Sequence, residues 1–139
     1  MKLQGYFYNQ KRMEYVPETR TDILAKGRFN GYNFFVISYG THPCCYIELP
    51  KNHKLYGLTY MDIEENYQVD VHCGLTYSSN SLLLRDNTWI IGWDYAHFGD
   101  YYCSSYRVGS DKDHRWTTDE MIKECMKVIK QLEKINKEV

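Results

Sequence analysis

The chain lacks the features that mark membrane-spanning, exported and nucleic-acid-coating proteins. No apolar run approaches the ~20 residues that a membrane helix needs. The opening Met1-Lys2-Leu3-Gln4-Gly5-Tyr6 has none of the apolar core of a signal peptide. Both absences lead to the expectation of a cytoplasmic protein. There is no CxxC pair, and five cysteines is an odd number, which reads as free thiols in a reducing compartment. The vicinal Cys44-Cys45 lies in an apolar run, where small thiols serve as buried hydrophobes. Net charge is nearly missing, because 17 basic residues offset 18 acidic ones. Bulk binding of DNA or RNA needs a clustered basic face, and acidic mimicry of nucleic acid needs the opposite excess, so neither is expected. P-loop, Gly-x-Ser-x-Gly and HExxH patterns are absent, as are repeats, low-complexity tracts and linkers.

What remains is an ordinary globular composition, 43% hydrophobic and 25% charged, in 139 residues. That length suits one domain with its own core. The unusual abundance is tyrosine, 14 residues of it in a chain that is 16% aromatic. Tyrosine joins a flat apolar ring to a hydroxyl and serves core edges, interfaces and ring-stacking pockets alike.

Patterning predicts an α+β domain: a mainly antiparallel sheet of about four to six strands, with a long C-terminal amphipathic helix packed on one face. Residues 1–30 are polar and mixed and read as a peripheral segment, in which Thr19-Arg20-Thr21-Asp22 caps a short helical turn. The sheet is expected within residues 33–95. Asn33–Tyr39 and Cys44–Leu49 read as strands around a Gly40-Thr41-His42-Pro43 turn. Met61–Glu65 suggests one turn of helix. Tyr67–Tyr77 alternates in places with period two, which predicts a half-buried strand with Asp70 and His72 side by side on one surface. Ser78–Ser81 reads as a turn, and Thr88–Asp94 as an apolar strand inside the sheet. Residues 99–116 form a polar loop, either a connection or a lid. Over 117–137, Thr117 and Glu120 have capping-box spacing. Met121, Ile122, Cys125, Met126, Val128, Ile129, Leu132 and Ile135 recur at helical spacing, opposite a solvated lysine face.

Two segments carry the chemistry. Gly92-Trp93-Asp94-Tyr95-Ala96-His97-Phe98-Gly99-Asp100 sets three titratable side chains among aromatics and glycines, and His72-Cys73-Gly74-Leu75-Thr76-Tyr77 lies upstream. Acids beside apolar surface cost free energy unless paired, so a fold that keeps them there usually uses them. An imidazole oriented by a carboxylate is the minimum unit of general-base work, and either Asp94 with His97 or Asp70 with His72 supplies it. The nearby cations are Arg85 and Arg107. A nitrogen and oxygen set drawn from His72, Asp94, His97 and Asp100 would suit Zn, Mn or Fe. Asp-x-x-His-x-x-Asp is nonetheless a common spacing, and no resident metal or other cofactor is expected. Each residue also has a structural use, Asp94 as a turn cap and Gly99-Asp100 as turn chemistry. His42, His53 and His114 read as surface or turn residues.

These motifs resemble those of a family of small phage- and prophage-encoded proteins. That group carries His-Gly-Gly-Leu/Ile-Thr-Phe/Tyr-Ser, then Gly-Phe/Trp-Asp-Cys/Tyr-Ala-His-x-Gly-Asp, and a final helix rich in Glu, Cys and Leu. The likeness spans roughly residues 42 to 133, with Cys73 where the group has glycine and Tyr95 where it often has cysteine. The resemblance implies a mobile-element protein that counters host immunity. Its expected route is a binding site of His72, Thr76, Tyr77, Trp93, Asp94, His97, Asp100 and Arg107, which sequesters a nucleotide-derived ligand or blocks a defence protein. Tyr77, Trp93, Phe98 and Tyr101 would stack on a base, and Arg107 would meet a phosphate. The alternative is a small hydrolase of a nucleotide or cyclic nucleotide, with His97 as base and Asp94 as its orienting acid or a metal ligand. Turnover is left open between the two. A homo-oligomer with sites between subunits is a further expectation.

Overall fold

A computed structural model describes residues 22–80, 88–104 and 107–138. Five strands form one sheet: β1 (Asp22–Phe29), β2 (Tyr32–Ser38), β3 (Pro43–Leu49), β4 (Tyr77–Ser79) and β5 (Trp89–Asp94). Their order is β1-β2-β3-β5-β4, and every neighbouring pair is antiparallel. A short helix, α1 (Tyr60–Tyr67), follows β3, and the long helix α2 (Thr118–Lys137) closes the chain. The α+β architecture anticipated above is the one observed.

Period-two alternation divides the sheet into two faces. Val36, Cys45, Ile47, Ile91 and Trp93 point to the helix side, where Met121, Cys125, Val128, Ile129, Leu132 and Ile135 of α2 meet them. Burying a side chain of this size is worth about 1.5–3 kcal/mol, so this interface dominates the core. The other face carries Phe35, Ile37, Cys44, Tyr46 and Ile90, flanked by Tyr39 and Tyr77. Gly92 belongs there, and a Cβ on it would come within 2.6 Å of the Tyr46 ring and of the Cys45 carbonyl. Glycine lets Tyr46 lie flat across β5. At the start of α2, Thr117 accepts from the Glu120 N–H while Glu120 accepts from the Thr117 N–H, completing the capping box.

Three local expectations are corrected. Asp22–Phe29, expected within a peripheral segment, is the edge strand β1, while residues 1–21 lie outside the described part. Ser78 and Ser79, expected in a turn, belong to β4. Residues 68–76, expected in a strand, run irregularly. Gln68 turns left-handed (φ 52°) to end α1, and Cys73 and Gly74 (φ 55° and 84°) form a second tight reversal. The segment docks on α2 through side chains. Gln131 brackets the Asp70 backbone, accepting from its N–H (2.7 Å) and donating to its carbonyl (2.7 Å), and Glu124 accepts from His72 N–H (2.9 Å).

Candidate functional site

The polar residues gather at one end of the sheet, where β5 finishes and the β2–β3 turn begins. Register explains the gathering. Cys44 pairs with Asp94, and Tyr95 N–H donates to the Pro43 carbonyl (3.1 Å). Thr76 N–H donates to the Gly92 carbonyl (2.9 Å), which brings the 71–76 turn alongside β5. His97-Phe98-Gly99-Asp100 is then a tight turn closed by Asp100 N–H onto the His97 carbonyl (2.9 Å), with Gly99 supplying φ 94°.

Two histidine–aspartate pairs result. His72 Nε2 lies 2.9 Å from Asp100 Oδ2. The Asp100 side chain is only 2% exposed. Its Oδ2 also accepts from the His97 backbone N–H (3.0 Å) and its Oδ1 from the Trp116 indole (2.7 Å). A carboxylate removed from water needs such a donor set to remain there. The second pair joins His97 Nε2 to Asp94 Oδ1 at 2.8 Å, with the side chains 30% and 27% exposed. This contact is close, but the ring nitrogen is not aligned for a hydrogen bond and finds no in-line acceptor. Asp94 is held instead by the Thr76 hydroxyl (3.2 Å) and the Ala96 N–H (3.2 Å). Of the two pairings expected, Asp94 with His97 forms and Asp70 with His72 does not, because residues 68–76 run irregularly against α2 and are not a strand. Asp70 faces Lys127 (3.2 Å), and Asp100 takes its place beside His72.

The two imidazoles meet edge to face with centroids 5.9 Å apart. His72 stacks on the buried Tyr95 ring (4.9 Å, 10°) and is crossed by Trp116 at 4.9 Å, so its plane is fixed. In both histidines the carboxylate meets Nε2. Among the described residues no partner engages either Nδ1. His72 thus has Nε2 tied to Asp100, His97 has Nε2 in close but unaligned contact with Asp94, and Nδ1 of each ring has no partner among the described residues.

His42, read from sequence as a turn residue, belongs to this neighbourhood. It lies two residues before the cross-strand partner of Asp94, and its Nδ1 is 2.9 Å from the Thr41 hydroxyl. Burial holds its pKa below the usual imidazole value, against the pull of Asp94, and His97 adds to the lowering. The signal for it was the hairpin register, which a linear motif does not contain. His114 is also engaged, 2.9 Å from Glu120 and packed at 4.3 Å on Trp116.

Other expected contacts fall elsewhere. Trp93 is 1% exposed and donates to the Tyr95 hydroxyl (3.0 Å) on the helix side, out of a ligand's reach. Tyr101 is buried beneath the Arg115 guanidinium, 3.8 Å from its centroid. Tyr77 packs edge-on against Tyr46 (5.3 Å) on the sheet face opposite α2. Arg107 is committed to Asp113 (2.8 Å) and the Asp100 carbonyl (3.2 Å) and stacks on Tyr102, while Arg85 lies outside the described residues. Phe98, by contrast, is fully exposed at the tip of its turn. The polar loop is pinned rather than loose where it is described. His114 N–H donates to the Gly99 carbonyl (2.8 Å), Tyr101 N–H to the His114 carbonyl (2.9 Å) and Cys103 N–H to the Thr41 carbonyl (3.2 Å).

Cys73 is the exposed thiol among four buried ones, and its Sγ lies 3.7 Å from His72 Nε2. Burial, then Asp100 and Asp94, push its pKa up, which disfavours the thiolate a nucleophile needs. It also approaches the nitrogen already facing Asp100, so the three do not form a relay. Among the described residues no three His, Cys, Asp or Glu side chains converge to hold a metal ion, because each carboxylate turns to a different imidazole. No helix among them is long and apolar enough to cross a membrane. No protein-family model, curated protein or solved structure matches the chain.

Proposed function

We propose that the sheet end is an acid–base site for a nucleotide-derived phosphoester, and that the protein is a small hydrolase. One observation carries the reading: two carboxylate-backed imidazoles 5.9 Å apart, each with Nδ1 unengaged among the described residues. A general base must reach its proton within about 2.6–3.2 Å, and Nδ1 is the ring atom that can do so without displacing a carboxylate. His97, the more exposed of the two, is the base that activates water, with Asp94 beside it. Removal of a host signalling nucleotide would join this chemistry to the counter-defence role that the motif resemblance implies.

Sequestration without turnover is the second reading. It is favoured by the commitment of Arg107 to Asp113, which leaves the described site without a free guanidinium to stabilise developing phosphate charge. Stacking supports it less, since Trp93 and Tyr101 are buried and Phe98 is the exposed ring beside the pairs. The two readings separate in ³¹P NMR of a panel of linear and cyclic nucleotides incubated with wild type and His97→Gln. Hydrolysis predicts new phosphorus signals with wild type and a loss of about 10²–10⁴-fold in the variant. Shifted but unconverted signals with wild type would replace the hydrolase by a sequestering protein.

A further inference from the structure

We infer that His72 is the general acid of this site and that its substrate is a phosphodiester with an alkoxide leaving group. The inference rests on the hydrolase reading above and assigns the second histidine, which that reading leaves without a role. The two pairs differ in a way that divides the labour. Asp100 is buried, receives the Trp116 indole and the His97 N–H, and meets His72 Nε2 at hydrogen-bond distance. That carboxylate fixes a proton on Nε2 and compensates the charge of a doubly protonated ring, which then presents Nδ1–H outward. Stacking on Tyr95 holds the ring in that orientation. Asp94 lies close to His97 Nε2 without an aligned hydrogen bond and already serves Thr76 and Ala96, so His97 has the weaker support for a resident charge. The better-supported ring donates, and the other accepts.

The step balances. His97 Nδ1 takes a proton from water, and the water oxygen forms a bond to phosphorus. The bond from phosphorus to the ester oxygen breaks, its electron pair stays on that oxygen, and His72 Nδ1 supplies the proton that makes it an alcohol. A phosphomonoester leaves, and exchange with solvent returns each ring to its starting state. A diester fits better than a monoester for an electrostatic reason. Asp94 and Asp100 flank the rings, and among the described residues the nearby Arg107 is already paired, so a dianionic monoester meets more repulsion than a monoanionic diester.

The leaving group supplies the test. Nitrophenolate departs without protonation, whereas a nucleoside hydroxyl does not. Wild type, His72→Gln and His97→Gln are assayed on the p-nitrophenyl ester of thymidine 5′-phosphate, on a dinucleoside monophosphate and on p-nitrophenyl phosphate. For His72→Gln the expectation is a loss of about 10²–10⁴-fold on the dinucleoside and less than tenfold on the nitrophenyl diester. His97→Gln should lose similarly on both. Equal losses for His72→Gln would overturn the acid role and leave the hydrolase reading intact, and faster turnover of the monoester would overturn the substrate class. A wild type inert toward all three would remove the hydrolase reading itself. If His72→Gln does not fold, wild type across diesters with aryl to alkyl leaving groups answers instead. A shallow dependence on leaving-group basicity is expected, and a steep one would overturn the proposal.

Discussion

Two ends of the molecule use histidine in opposite ways. At the far end from the site, His53 is 4% exposed and both of its nitrogens are engaged. Nδ1 accepts from the Leu55 N–H (3.0 Å), and Nε2 lies 3.0 Å from the Leu132 carbonyl, to which it donates. The ring ties the segment after β3 to the last turns of α2 and packs edge-on to Tyr32 at 5.8 Å. It is a satisfied core histidine. At the other end, His72 and His97 each face a carboxylate through Nε2 and keep Nδ1 clear of described partners. A folding role alone would favour engaging both nitrogens, because an unmet polar group near the interior costs about 1–3 kcal/mol. The spare nitrogen, more than the presence of an imidazole, separates a site from a strut.

Substitutions at the two ends should have different consequences. The largest effect on stability is expected for Asp100→Ala, which orphans the Trp116 indole, the His97 N–H and His72 at once. A loss of about 3–5 kcal/mol in chemical denaturation is expected, together with loss of any activity. His53→Ala should cost about 2–4 kcal/mol by the same measurement and leave turnover or ligand affinity unchanged. Parallel losses of stability and function in both variants would erase the distinction between the ends.

A pH series sharpens it further. Burial lowers the pKa of His53 below its ordinary 6.5, although the Leu132 carbonyl opposes the shift. The unfolded chain then binds the proton more readily than the folded one. Stability from this group is full above pH 6.5 and is lost as pH falls from there through the folded value. In His53→Gln the decline between wild-type stability at pH 7 and at pH 5.5 should become shallower, with the same sense of contribution remaining from His42. The smallest effect belongs to Cys73→Gly. Cys73 holds φ 55°, a left-handed conformation that glycine adopts freely, so the variant should gain no more than about 1 kcal/mol and keep the site's properties.

Much of this fold was legible from local pattern. The α2 stripe, its capping box and the β2–β3 hairpin follow from periodicity that tertiary contacts reinforce. Residues 67–71 show why pattern alone can mislead. Val69 and Val71 are buried, as their alternation implies, but the backbone of the intervening Asp70 and of His72 is met by Gln131 and Glu124 of α2 instead of a neighbouring strand. Burial was encoded in the alternation, and the identity of the covering element was not. β1 is not legible in the sequence because Asp-Ile-Leu-Ala-Lys-Gly-Arg-Phe is an edge strand with a shift in register after Ile23 and no clean alternation. At the site, Asp94 and His97 stand three residues apart and could be paired from sequence. His72 and Asp100 are 28 residues apart, and only the turn at Cys73-Gly74 and the packing of Tyr95 and Trp116 bring them together.

A phosphate ligand should address His72 and His97 through Nδ1, which has no partner among the described residues, while His53 takes no part. Nitrogen-15 NMR of histidine-labelled protein, recorded as a slowly hydrolysed dinucleoside phosphorothioate diester is added, reads this out. The Nδ1 resonances of His72 and His97 should move together and saturate, with both His53 nitrogens unmoved. Shifts confined to other residues, or no shift at millimolar nucleotide, would contradict it.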